Sequence, residues 1–188
     1  MYRTPSLVLT SFSHTMLAFQ ICAERNIDYE PFCTGPKMKL YQELRVTEDE
    51  NQNEDRASGA AARRENPELS LTLALAAART AAENGGTDIV VLDMSEETAI
   101  FDYFVIATGT SRRQLHAMSE EIDHKLEGEL NDKRMNIDGY DDSRWIVLDY
   151  GTVVIHLFDE DTRKFYSLEA LKADAKRVDL TETLKNIR

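Results

Sequence analysis

Gly109-Thr110-Ser111, followed by Arg112 and Arg113, is the stretch whose residue types and spacing come nearest to a site for an anion. A turn between a strand and a helix leaves backbone N–H groups without partners, and they can hold a phosphate. The stretch has neither the Walker lysine nor a GxGxxG spacing, so an ordinary strand-to-helix turn stands beside that reading. Asp88 and Asp93 fall on one strand without the Asp-x-Asp spacing that puts two carboxylates on one edge, which leaves metal-assisted phosphoryl transfer unsupported. His14, His116, His124 and His156 are scattered along the chain. His156 beside Asp149 suggests a base and its orienting carboxylate, yet the pattern places no serine or cysteine nucleophile near them. Cys22 and Cys33 lack a CxxC spacing and do not cluster with histidine. Neither zinc nor a disulfide framework is indicated, and a reducing compartment fits best. Glu120, Glu121, Asp123, Glu127 and Glu129 read as a solvated helix face. The chain is therefore expected to carry no catalytic group, metal or cofactor.

The elements that must position these side chains centre on Arg144 to Phe158, R-W-I-V-L-D-Y-G-T-V-V-I-H-L-F, two β-prone runs joined through Tyr150-Gly151 with the only tryptophan at the start. A two-residue loop at Tyr150-Gly151 pairs Asp149 with Thr152, Val147 with Val154 and Trp145 with His156. Ile146, Leu148, Val153 and Ile155 then make an aliphatic core face. Trp145, Val147, Asp149, Val154, His156 and Phe158 make a mixed face suited to a protein partner, because buried aromatics dominate interface energetics. The same face can instead lie under a helix, with Trp145 in the core. Leu69, Leu71, Leu73, Leu75, Ala76 and Ala78 lead into an alanine-rich helix that stops near Asn84-Gly85-Gly86. Asp88 to Met94 and Tyr103 to Ala107 read as strands, with a connection too short for a crossover helix. Ser111 N-caps a helix over Arg112 to Leu130. A short strand at Met135 to Asp138, the hairpin, and a helix over Thr162 to Leu171 complete the order α-β-β-α-β-β-β-α. That order predicts an α/β (α+β) domain with a mixed five-stranded sheet and helices mainly on one face, leaving part of the other face open to a partner.

The chain has 188 residues, a net charge of -12 and a sequence pI near 4.8, so its field opposes phosphate backbones and anionic lipid. No apolar run approaches the roughly 20 residues of a membrane span. Residues 47–65 contain no large apolar side chain and read as a solvated linker, separating a poorly patterned extension, 1–66, from the folded part, 67–188. Met1 to Gln20 is free of acidic residues and rich in Ser and Thr. That is compatible with an organelle transit peptide, although one arginine is few for one, and an over-extended gene start explains it equally well.

The segments D-I-V-V-L-D-M (88–94), F-D-Y-F-V-I-A-T-G-T-S-R-R-Q (101–114), D-G-Y (138–140), R-W-I-V-L-D-Y-G-T-V-V-I-H-L-F (144–158) and R-K-F-Y-S-L-E (163–169) resemble, in order, the ribosomal silencing factor (Iojap) family. The resemblance runs from about Leu69 to Leu180, and Lys172 departs from it at a position where members often carry tryptophan. It implies a nucleotidyltransferase-like topology without catalytic carboxylates. It also implies binding to the large ribosomal subunit through large-subunit protein fourteen, which blocks joining of the small subunit and lowers translation under nutrient limitation. Carried onto this chain, the contact surface would comprise Trp145, Ile146, Leu148, Asp149 and Tyr150, supported by Arg144 and His156. The expected setting is cytoplasmic, or an organelle if residues 1–20 are a transit peptide, with no direct sequence-specific nucleic-acid binding and no membrane. Two other uses of the residues remain: a nucleotide-binding enzyme working through Gly109 to Arg113, and a homodimer that buries the Trp145 face against itself.

Overall fold

Proline at the first helical position and a run of alanines on the face toward the sheet explain how the chain enters its fold. In the computed structural model, which describes residues 67–98, 101–185 and 187, α1 runs Pro67–Glu83. Leu73, Ala74, Ala77, Ala78 and Ala81 recur at helical spacing and are fully buried, so the small side chains let the helix axis lie close to the strands. Two bonds, Gly85 N–H to the Ala82 carbonyl and Gly86 N–H to the Ala81 carbonyl, close its C-terminus.

Strands β1 (Thr87–Asp93) and β2 (Tyr103–Gly109) follow as an antiparallel pair, as their short connection requires. Helix α2 (Arg112–Asp123) starts at Ser111, whose hydroxyl accepts the Gln114 N–H at 3.3 Å. Then come β3 (Asn136–Asp138), β4 (Trp145–Asp149), β5 (Val153–Asp159), the short helices α3 (Glu160–Tyr166) and α4 (Leu168–Leu171), and β6 (Lys176–Arg177). The sheet order is β3-β4-β5-β2-β1-β6, and β2 with β5 is the parallel pair. Six strands replace the predicted five. The added β6 pairs two residues against Leu92 and Asp93 of β1, too short a run to show a period of two.

The mixed α/β architecture agrees with the sequence; several local expectations are corrected. The hairpin pairs Asp149 with Val154, Val147 with His156 and Trp145 with Phe158, two positions from the predicted register. Tyr150 N–H donates to the Val153 carbonyl at 3.0 Å, so the two-residue loop is Gly151-Thr152. Gly151 has φ 83, the positive value a type II′ turn requires at its first central position. A slip of two preserves parity, so each side chain keeps its predicted face. The helix expected to reach Leu130 leaves α geometry after Asp123 and continues as a π-helical turn, His124–Glu129, which keeps Leu126 buried. The helix expected over Thr162–Leu171 begins earlier and is split by Ser167 at φ 44, a break that turns Leu168 inward.

Helices α1 and α2 pack on one face over Val105, Ile146, Leu148, Ile155 and Leu157. Each such side chain contributes about 1.5–3 kcal/mol when fully buried. The other face was expected to stand partly open around Trp145. It carries a second core, in which Leu92, Phe104, Ile106, Trp145 and Phe158 pack with Leu168 of α4 and Tyr166 of α3. The predicted extension, with Cys22, Cys33 and His14, lies outside the described residues.

Candidate partner-binding face

Trp145 opens β4 and lies 4% exposed, its ring 4.7 Å from Phe158 and 4.7 Å from Tyr166. Its indole N–H donates to His156 Nδ1 at 3.3 Å. An indole can only donate, so Nδ1 of His156 is unprotonated and the imidazole proton sits on Nε2. His156 is itself fully buried, with Phe104 edge-on at 5.0 Å. This histidine is a packing element of the second core, and its Nδ1 is engaged by tryptophan.

Ile146, Leu148 and Tyr150 face the first core and have no exposure, which removes them from any rigid contact surface. Period-two alternation of β4 forces this, since Trp145, Val147 and Asp149 must then point the other way. The Tyr150 hydroxyl donates to Asp123, which also pairs with Arg134. Burial, the largest influence, pushes the Tyr150 phenol far above its ordinary value; Arg134 opposes the shift, and Glu127 and Asp132 add to it.

Asp149 and Arg144 retain exposure. The Asp149 carboxylate accepts the Gly151 N–H at 2.7 Å, which braces the hairpin turn. Register sets Asn136 opposite Asp149 and Asp138 opposite Val147, so Asn136, Asp138 and Asp149 form a half-buried acidic rim beside Val147 and Val154. Asn136 Nδ2 donates to Asp138 Oδ2 at 3.0 Å and holds the two side chains together. Sequence reasoning missed Asn136 and Asp138 as members of this face. Alternation through the short strand was the signal that places them there.

Arg144 lies at the other end of β4, where its Nε donates to Asp159 Oδ2 at 2.9 Å. Burial alone would raise the Asp159 carboxyl; hydrogen bonds from Thr162 and Arg144, with the Arg144 charge, outweigh it and hold the carboxyl below its ordinary value. Asp159 also N-caps α3 through the Thr162 N–H at 2.7 Å.

In the candidate phosphate turn the Thr110 N–H is already engaged within the chain. Gln114 folds back so that its side-chain oxygen accepts the Thr110 N–H at 2.7 Å, while its amide nitrogen donates to the Asn84 and Gly85 carbonyls. Gly109 is needed for helix packing, since a Cβ there would stand 2.8 Å from Leu115 and 2.9 Å from Met118. Arg112 donates to the Asp141 carbonyl at 2.7 Å. A serine and histidine that sequence reasoning did not bring together, Ser143 and His116, also meet. The Ser143 hydroxyl donates to the Tyr140 carbonyl, leaving the His116 N–H to donate to Ser143. That clamps the loop before β4 and does not activate a nucleophile. Among the described residues no three His, Cys, Asp or Glu side chains are grouped to hold a metal ion.

The family model described as "Ribosomal silencing factor during starvation" matches residues 65–188. The chain is 42% identical over 94 residues to the ribosomal silencing factor of Bacillus subtilis (strain 168), covering 50% of this chain and 78% of the relative. It is 39% identical over 92 residues to the Mus musculus protein named "Mitochondrial assembly of ribosomal large subunit protein 1", covering 47% of this chain and 40% of that protein. A crystal structure of a Chromobacterium violaceum protein superposes with a TM-score of 0.52 at 31% identity, covering 54% of this chain and 83% of the other.

Proposed function

The chain belongs to the ribosomal silencing factor family, and from that premise we propose that it docks on the large ribosomal subunit through large-subunit protein fourteen and blocks entry of the small subunit. Membership itself carries ribosome-associated silencing of translation. The name of the mouse relative, which refers to the ribosomal large subunit, supports the choice of subunit.

One observation carries the choice of surface: the acidic rim Asn136, Asp138 and Asp149, beside Val147 and Val154. A basic ribosomal protein meets there a negative edge that steers approach, and the buried Val147 and Val154 hold that edge in place from within the second core. Arg144 extends the contact from the far end of β4, and Trp145 and His156 support it from beneath. Ile146, Leu148 and Tyr150 act only through the shape of the hairpin. The net charge of -12 discourages seating on RNA and favours a protein partner. The mechanism is steric and uses no chemical step. Its setting is the cytoplasm, or an organelle if residues 1–20 are a transit peptide, and a homodimer through the same face would compete with docking.

A subunit-joining assay tests this function. Large subunits incubated with the full chain and then mixed with small subunits should give fewer joined particles as the chain is added. Asp149→Asn keeps an oxygen acceptor for Gly151 but removes the charge, and it should restore joining. Unchanged joining at saturating wild-type protein would remove the proposal.

A further inference from the structure

On the second sheet face, α3 and α4 leave a cleft of about 650 Å³ between themselves and strands β1, β2 and β6. Thr108 and Leu92, both buried, form its floor; Ala170 and Ala173 give it an apolar wall, and Arg177 of β6 stands on the opposite side. None of these residues belongs to the proposed docking face.

The charges in the cleft reverse the sign of the chain. Arg163 is fixed over the floor, with its Nε 2.9 Å from Glu169 and its Nη1 2.6 Å from the Thr108 hydroxyl, and its side chain is 11% exposed. Glu160 pairs with Lys164 at the rim. With those two pairs set aside, Lys172 and Arg177 face the cleft against the single carboxylate Asp88. Among the described residues neither cation has an ion-pair partner. In a chain of net charge -12, a concavity with surplus positive charge is a local exception that nothing in the packing of α4 requires.

A pocket of a few hundred Å³ with an apolar wall and a surplus of cations among its lining has the recognition chemistry for a small organic anion. Two cations on separate elements favour an anion with several oxygens, able to accept hydrogen bonds from both at once. We infer that this cleft binds a small phosphorylated organic molecule. Its phosphate is held by Lys172 and Arg177 beside Arg163, and its apolar body lies against Leu92, Ala170 and Ala173. Asp88 lines the same cleft, and its charge opposes binding of an anion there.

Calorimetric titration of the full chain with ADP, followed in parallel by amide chemical shifts, tests the inference. Lys172→Glu and Arg177→Glu lie on exposed or half-exposed positions and leave the Arg163 pair intact; each should weaken binding about tenfold or more. Asp88 sits at φ 49, a conformation asparagine adopts readily, so Asp88→Asn should fold normally and bind ADP more tightly. Lys133→Glu, near β3 at the other edge of the sheet, should change nothing. Shifts should concentrate on residues 88–92, 163–173 and 177. Absence of saturation by about 10 mM ADP, which corresponds to negligible affinity, would overturn the inference. So would an equal loss in Lys133→Glu, which would mean diffuse attraction, or a single-stranded RNA oligonucleotide that needs Lys172 and Arg177 when ADP does not bind.

Discussion

Trp145 shows how one side chain serves the fold and the surface above it. Its ring packs on Phe158 and Tyr166 while its N–H holds His156, so Trp145→Ala removes packing from three neighbours together. The loss should be about 3–5 kcal/mol, read as a lower urea midpoint. Trp145→Phe keeps the ring stack but leaves His156 without its donor, and should cost less. Tyr150 tests a different contact. Replacing it with phenylalanine removes the hydroxyl bond to Asp123, yet Asp123 keeps Arg134, so the cost should be about 0.5–1.5 kcal/mol. The same residue imposes a pH dependence. Below its ordinary value of 10.0 the phenol is neutral in both states; above it the unfolded chain ionises while the folded chain keeps the proton, so stability falls as pH rises. Urea midpoints compared between about pH 9 and 11 should decline in the wild type and decline less in Tyr150→Phe. An equal decline in both would assign the effect to other groups.

Among the elements, the hairpin was the most legible in the sequence and also carried the most instructive error. Alternation over Arg144 to Phe158 placed every side chain on its observed face, although the turn lies one residue further along and the register two positions away. Both loops give the same parity, and the hydrophobic pattern reports parity alone. The Gly151 N–H donating to the Asp149 carboxylate and the Tyr150 N–H donating to the Val153 carbonyl select the turn, and no composition rule reads those bonds. Strand β6 and the break at Ser167 were illegible because each depends on tertiary contacts of a few residues. The acidic rim was half legible: Asp149 was found, while Asn136 and Asp138 required knowing that β3 pairs with β4. The covered second face followed from the break, because α4 places Leu168 in the core only after Ser167 turns the chain. Asp159 offers a test at this scale. It caps α3 and anchors Arg144, so Asp159→Ala should cost about 1 kcal/mol and loosen the cover over Trp145. Faster amide exchange in residues 160–166 than in α1 would register that loosening.

For the whole molecule, the charge of -12 gives the docking proposed above a long-range electrostatic component. The association rate should therefore fall as salt is raised while the dissociation rate changes little, as a stopped-flow or interferometry series would show. A rate indifferent to salt would mean that the charge of the rim does not guide docking. The most direct measurement is co-sedimentation of the full chain with purified large and small ribosomal subunits, wild type beside Asp149→Asn, with folding of both checked by circular dichroism. Saturable binding to the large subunit alone, weakened in a folded Asp149→Asn, is the expected result. Failure of the wild type to bind the large subunit, or identical binding by the variant, would contradict the assignment of the acidic rim as the docking face.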